Sequence, residues 1–213
     1  MAETAHVTAV PRELAALPLR TFRPEQATGV YTQPRVQLRR LQERGAVHRL
    51  AHGYYVVVPQ ENLGEAWMPT LEAAAAGIAT AHFGADHVVL MGVTAARMHG
   101  AIPRAISTAV VAVPAQRNAI ALADRDATVR FVKRDTAALD AEAMPTELGR
   151  VLVTTPEQTL LDLARRPTLG RAEDQVDEAI RALLARAEPD TLERIADTQR
   201  LRAALTRARE RTA

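Results

Sequence analysis

Apolar positions at the start of the chain follow helical spacing and then switch to alternation. Leu14, Ala15 and Leu17 follow Pro11 and are stopped by Pro18, which predicts a short helix over Arg12–Leu17. Thr21 stands where it would cap a second, Arg23–Ala27, closed by Gly29. A third opens at Gln33-Pro34, with proline at an early helical position where its missing N–H costs nothing. It puts Leu38 and Leu41 on one side, together with Pro34 and Gly45, and ends at Arg44. Ala46–Leu50 and Tyr54–Val58 then read as strands joined by Ala51-His52-Gly53, a glycine-bearing hairpin connection. Helix, helix, helix, two-stranded wing is the winged helix-turn-helix order, and it predicts a DNA-binding domain over residues 1–62.

Beyond it the pattern is mixed. Pro69–Phe83 reads as helical, His87–Leu90 as a brief apolar run, and Thr94–His99 as a helix capped by Thr94. Thr108–Val113, Thr128–Lys133 and Arg150–Val153 are strand candidates. Thr155-Pro156-Glu157-Gln158 has the form of a capping box opening the helix Pro156–Arg165, and two more helices fit Arg171–Ala187 and Asp190–Arg211. The expected fold class is therefore α+β: a winged helix-turn-helix followed, over residues 63–213, by a larger mixed α/β domain with a helical C-terminus.

Charge sharpens the picture for the first segment. The chain carries a formal net charge of only +2, yet Pro11–His52 holds eight arginines against three glutamates. On a helical wheel Gln33, Val36, Arg39, Arg40 and Arg44 fall opposite or beside the Leu38/Leu41 side, with Arg35 on the first turn and Glu43 as one acidic intruder. Arginine bonds guanine O6 and N7, glutamine bonds adenine, and an apolar group such as Val36 meets a thymine methyl. Arg49 and His52, on or beside the hairpin tip, are placed for phosphate or the minor groove. An arginine-rich helix face alone is an ordinary solvated surface. Here the order of elements, the glycine-tipped hairpin and the local charge agree, so the DNA-binding candidates are Gln33, Arg35, Val36, Arg39, Arg40, Arg44, Arg49 and His52.

Composition removes several chemistries. There is no cysteine, so disulfides, thiolate metal sites and thiol nucleophiles are excluded. No signal peptide opens the chain and no run of about 18 apolar residues occurs, so a cytoplasmic protein without a membrane partner is expected. Lys133 is the only lysine and lies in Phe131-Val132-Lys133-Arg134, which rules out a Walker motif, and the chain lacks the glycine-rich loop of a conventional kinase. A restriction-like nuclease wants an acid two residues before its lysine, where this chain has Phe131. Ser107, the sole serine, begins a strand rather than an elbow. His82, His87 and His99 lack tight ligand spacing, and Asp162 among Leu160, Leu161 and Leu163 reads as a buried polar anchor in preference to a functional carboxylate. No catalytic residue, metal or cofactor is expected.

Three ordered stretches carry a family resemblance. Pro34–Val58, with Gly45-Ala46-Val47, Arg49-Leu50 and Gly53-Tyr54-Tyr55, resembles the N-terminal winged helix of the AbiEi family of antitoxins. Gly92-Val93-Thr94-Ala95-Ala96-Arg97-Met98-His99-Gly100 and Val153-Thr154-Thr155-Pro156-Glu157-Gln158-Thr159-Leu160-Leu161-Asp162-Leu163-Ala164 resemble later parts of it, although the family more often shows arginine where Gln158 stands. The resemblance implies an antitoxin of a type IV toxin–antitoxin system. Such a protein binds double-stranded promoter DNA with inverted repeats, represses its own operon, and counters a nucleotidyltransferase toxin of the AbiEii type. The family's C-terminal domain is associated with antitoxicity and homodimer formation. Two alternatives remain open: an antitoxin that modifies its toxin enzymatically, as an atypical protein kinase, and a metabolite-responsive winged-helix regulator.

Overall fold

The computed structural model describes residues 10–211. Among these residues the fold is α+β, with eight α-helices and two sheets. The start of the chain holds α1 (Arg12–Ala15), short 3-10 turns over residues 18–20 and 24–27, the latter where a second helix is expected, α2 (Pro34–Glu43), then the hairpin β2 (Val47–Ala51) and β3 (Tyr54–Val57). Gly53 supplies the positive φ, 77°, that the hairpin tip needs. Thr21 does not cap a helix. With Phe22 it forms β1, pairing antiparallel with β3 in a three-stranded sheet of order β1-β3-β2. Arg23 takes the cap position of the following turn instead, and Gln26 accepts from its N–H at 2.9 Å.

The larger sheet has six strands in the order β6-β7-β5-β4-β9-β8. These are β4 (Val89–Leu90), β5 (Thr108–Val113), β6 (Ile120–Ala121), β7 (Thr128–Lys133), β8 (Ala141–Thr146) and β9 (Gly149–Thr154). β5 runs parallel to β7 and β4 parallel to β9, while the β4/β5, β6/β7 and β8/β9 pairs are antiparallel. Every residue of β5 is buried, which is what an apolar Ala/Val run in the middle of a covered sheet requires.

Side chains alternate across this sheet into two cores. Val89, Val110, Ala112 and Val132 face a helical layer built from α4 (Val93–Met98), α5 (Pro156–Arg165), α6 (Glu173–Leu184), α7 (Pro189–Thr198) and α8 (Arg202–Glu210). Ala109, Val111, Val113, Val129 and Phe131 face the other way, onto α3 (Leu71–Phe83). That helix is buried from Leu71 through Thr80, because the small sheet packs on it too. A helix apolar on all sides belongs between layers, and its alanines let the layers close in. A Cβ on Gly77 would collide with the Thr21 side chain, so β1 crosses α3 closely there and any larger residue must displace it.

Three further expectations are corrected. Thr94 is not a cap: Gly92 holds that position, and the buried Thr94 hydroxyl accepts from the Val110 N–H at 2.7 Å, tying α4 to the sheet. Thr155 caps α5 through the Gln158 N–H, but Gln158 does not reach back. Its side-chain oxygen accepts from Asp140 N–H and from Gln199, while the Thr155 N–H donates to the Asp140 carbonyl. The long final helix is two, broken at Gln199–Leu201 with Arg200 at φ 57°.

Candidate nucleic-acid interface

Leu38 and Leu41 root α2 in a third core, with Leu14, Phe22, Ala27, Val47 and Val57. This core fixes which side of α2 is turned outward. The pleat does the same for the hairpin. Val47 and Val57 enter that core with Tyr55 packed against it, whereas Leu50, Tyr54 and Val56 enter the core shared with α3. Arg49, whose register partner is Tyr55, is thereby placed on the α2 side.

An open groove of about 900 Å³ runs between α2, the 24–28 turn and the hairpin tip. Six of the eight sequence candidates line it: Gln33, Arg35, Val36, Arg39, Arg49 and His52. Val36 is one of two large apolar side chains left exposed among the described residues, at 39%. Arg49 donates to His52 Nδ1 at 3.3 Å across the hairpin turn, holding both at the rim. Arg39 is paired with Glu43 at 3.5 Å, but both side chains are largely in water, where such a pair contributes well under about 1 kcal/mol and yields to a better acceptor.

Arg40 and Arg44 are exposed but do not line the groove. They follow the other flank of α2. Gly45, expected inward, is exposed, and Pro34 is half-buried. Sequence reasoning missed Thr28, Gln42 and Tyr55, which complete the walls, and Glu25, which places a carboxylate in a mostly basic groove. Arg23 offsets Glu25 at 3.4 Å.

Three of the other residues weighed for chemistry, His82, His99 and Asp162, have structural partners. His82 accepts from Arg117 at 2.9 Å, and burial, with the charges of Arg117 and Arg23, lowers its pKa and favours the neutral ring. His99 Nε2 donates to the Thr154 carbonyl at 2.7 Å. No group of three or more potential metal ligands occurs among the described residues. Asp162, 4% exposed, is the anchor expected. Arg134 donates to it at 3.1 Å and to Gln199 at 3.2 Å, joining β7, α5 and the α7–α8 break. Among the described residues no helix is long and apolar enough to cross a membrane.

Residues 87–211, over half of the chain, match the model of the AbiEi antitoxin C-terminal domain. The chain belongs to the AbiEi antitoxin family. An AbiEi antitoxin acts within a toxin–antitoxin system, so a cognate toxin is its partner. The antitoxin's fold is similar to that in the crystal structure of RV2827C protein from Mycobacterium tuberculosis. The TM-score is 0.57 over 94% of this chain and 78% of that one, at 19% identity. No curated protein matches it. The matched region of this AbiEi antitoxin holds the motifs around Thr94 and Thr155–Asp162, whose side chains bind α4 and α5 into the fold.

Proposed function

We propose that this antitoxin is also a DNA-binding autorepressor. Its unit up to residue 62 is a winged helix that reads inverted repeats in duplex promoter DNA, and residues 63–213 serve to counter a nucleotidyltransferase toxin of the AbiEii type. One observation carries the DNA reading: the outward side of α2 and the hairpin tip converge on a single groove edged by Arg35, Arg39, Arg49 and His52. A helix entering the major groove and a wing reaching the adjacent minor groove must straddle one phosphate strand, and the concavity between them is where that strand runs. Gln33, Val36 and Arg39 then meet base edges. Arg49 and His52 meet phosphate or the minor groove. Arg40 and Arg44, on the far flank of α2, meet the opposite backbone. A homodimer on two half-sites about one helical turn apart accounts for an inverted repeat.

The test uses the full chain and a duplex carrying its own promoter. Affinity falls steeply between about 50 and 200 mM salt, and the inverted repeat is protected from cleavage. Equal affinity for promoter and unrelated duplex would contradict the reading, as would binding indifferent to salt.

A further inference from the structure

The hairpin has a second side. β2 pairs with β3 along one edge, and its other edge is taken by the segment that links β6 to β7 in the larger sheet. Ala123 N–H donates to the Leu50 carbonyl at 2.8 Å, and Ala51 forms an antiparallel bridge with Leu122. Two residues back along β2 from Leu50, His48 Nε2 donates to Asp124 at 2.7 Å, with Trp67 edge-on to the imidazole. Asp124 is itself fixed. Arg125 grips both of its carboxylate oxygens at 3.0 Å and donates to the Pro69 carbonyl at 2.7 Å. On β3, Arg117 donates to the Tyr54 hydroxyl at 2.7 Å while its guanidinium lies 5.9 Å from the Phe131 ring centre.

Both strands of the hairpin are therefore gripped from behind, at His48, Leu50, Ala51 and Tyr54. None of the gripping residues lines the groove. Arg49 and His52 sit between these anchors on the opposite side of the same strands. β1 pairs with β3 only at Tyr55 and Val56, short of the tip, so the contacts behind the tip supply the support that presents two side chains at a fixed distance from α2.

Given the DNA-reading role proposed above, we infer that Asp124 and Arg117 are positioning residues for the wing, holding Arg49 and His52 in place without touching DNA. The reading unit is thus completed by the 114–125 segment of the antitoxin's larger half. Anything that displaces that segment lowers DNA affinity.

The experiment uses full-length Arg117→Ala/Asp124→Ala protein. Promoter affinity drops about ten-fold, from loss of hydrogen bonds to charged groups. The slope of affinity against salt stays that of the parent chain, because no phosphate contact is lost. Amide exchange over residues 47–57 quickens in the free protein. Ala51→Cys/Leu122→Cys in the same background gives a rescue arm. The flanking Ala123-to-Leu50 hydrogen bond makes this the narrow type of antiparallel pair, about 4.5 Å between Cα atoms, within disulfide reach. The chain has no other cysteine to interfere. Oxidation restores affinity and reduction removes it again. Unchanged affinity with quickened exchange overturns the positioning role. A salt slope flattened by about one per residue overturns it as well, because it would make these residues phosphate contacts. If the parent chain itself fails to prefer its promoter, the DNA reading falls, and the exchange measurement alone decides whether the segment holds the hairpin. Unchanged exchange overturns the clamp in either case.

Discussion

Asp162 shows how one buried residue ties three elements together. Burial pushes its carboxyl above the ordinary aspartate range, and Arg134 opposes that rise by charge and hydrogen bond. Removing Arg134 strands a carboxylate in the core, and Arg134→Ala is expected to lose about 3–5 kcal/mol of stability by urea unfolding. The loss depends on pH. With its partner gone, the folded-state pKa of Asp162 lies well above the unfolded value of 3.8, so stability falls as pH rises through that interval. The deficit of Arg134→Ala is accordingly smaller at pH 4 than at pH 7, and a deficit independent of pH would contradict this account. Asp124 has the opposite sign. Burial raises its pKa, but the hydrogen bonds from Arg125 and His48 outweigh it and the net pKa is lowered. Its contribution is present above 3.8 and fades as pH falls below that value.

Among the elements, α3 is the one whose sequence most directly dictates its place. Its alanines and Gly77 let the small sheet and the large one close on a single helix. In an exposed helix, glycine to alanine gains about 1 kcal/mol. Gly77→Ala has the reverse sign, a loss of about 1–3 kcal/mol, because the added methyl must displace β1 at Thr21. Denaturant unfolding checks it, and a stabilised variant would show that β1 yields freely. Elements with strong periodic signals were legible beforehand: α2 from Leu38 and Leu41, α5 from Thr155 and Pro156, β5 and β7 from their apolar runs. β8 was not, because Ala141–Thr146 is an edge strand with Glu142 and Pro145 and no apolar alternation. The break between α7 and α8 was hidden because an arginine takes the left-handed turn, where glycine or asparagine would have signalled one. The helical wheel separated the outside of α2 from its inside. It carries no information about which flank the hairpin approaches, so it does not separate Arg40 and Arg44 from Arg39, although the groove takes only the last.

At the scale of the molecule, the small sheet is shared property. One face covers Leu14, Leu38 and Leu41, while the other contributes Leu50, Tyr54 and Val56 to the core of the larger half. The chain is therefore expected to unfold as one cooperative unit. Trp67, the only tryptophan, stands at the junction against His48 and reports on it directly. Its fluorescence and the far-ultraviolet circular dichroism should trace the same urea transition, and two separated midpoints would contradict a common core. Such a body lets the antitoxin half and the proposed DNA-reading half influence each other through packed contacts rather than through a flexible linker. In the proposed role, α2 reads bases at the groove. The most direct test is the affinity of Arg39→Ala for a panel of single-base variants of the promoter site, beside Arg12→Ala as a remote arginine. Arg39→Ala should lose about 1–3 kcal/mol of discrimination at particular positions, while Arg12→Ala at most weakens every duplex alike. A uniform loss across the panel for Arg39→Ala would show that α2 is not the reading helix.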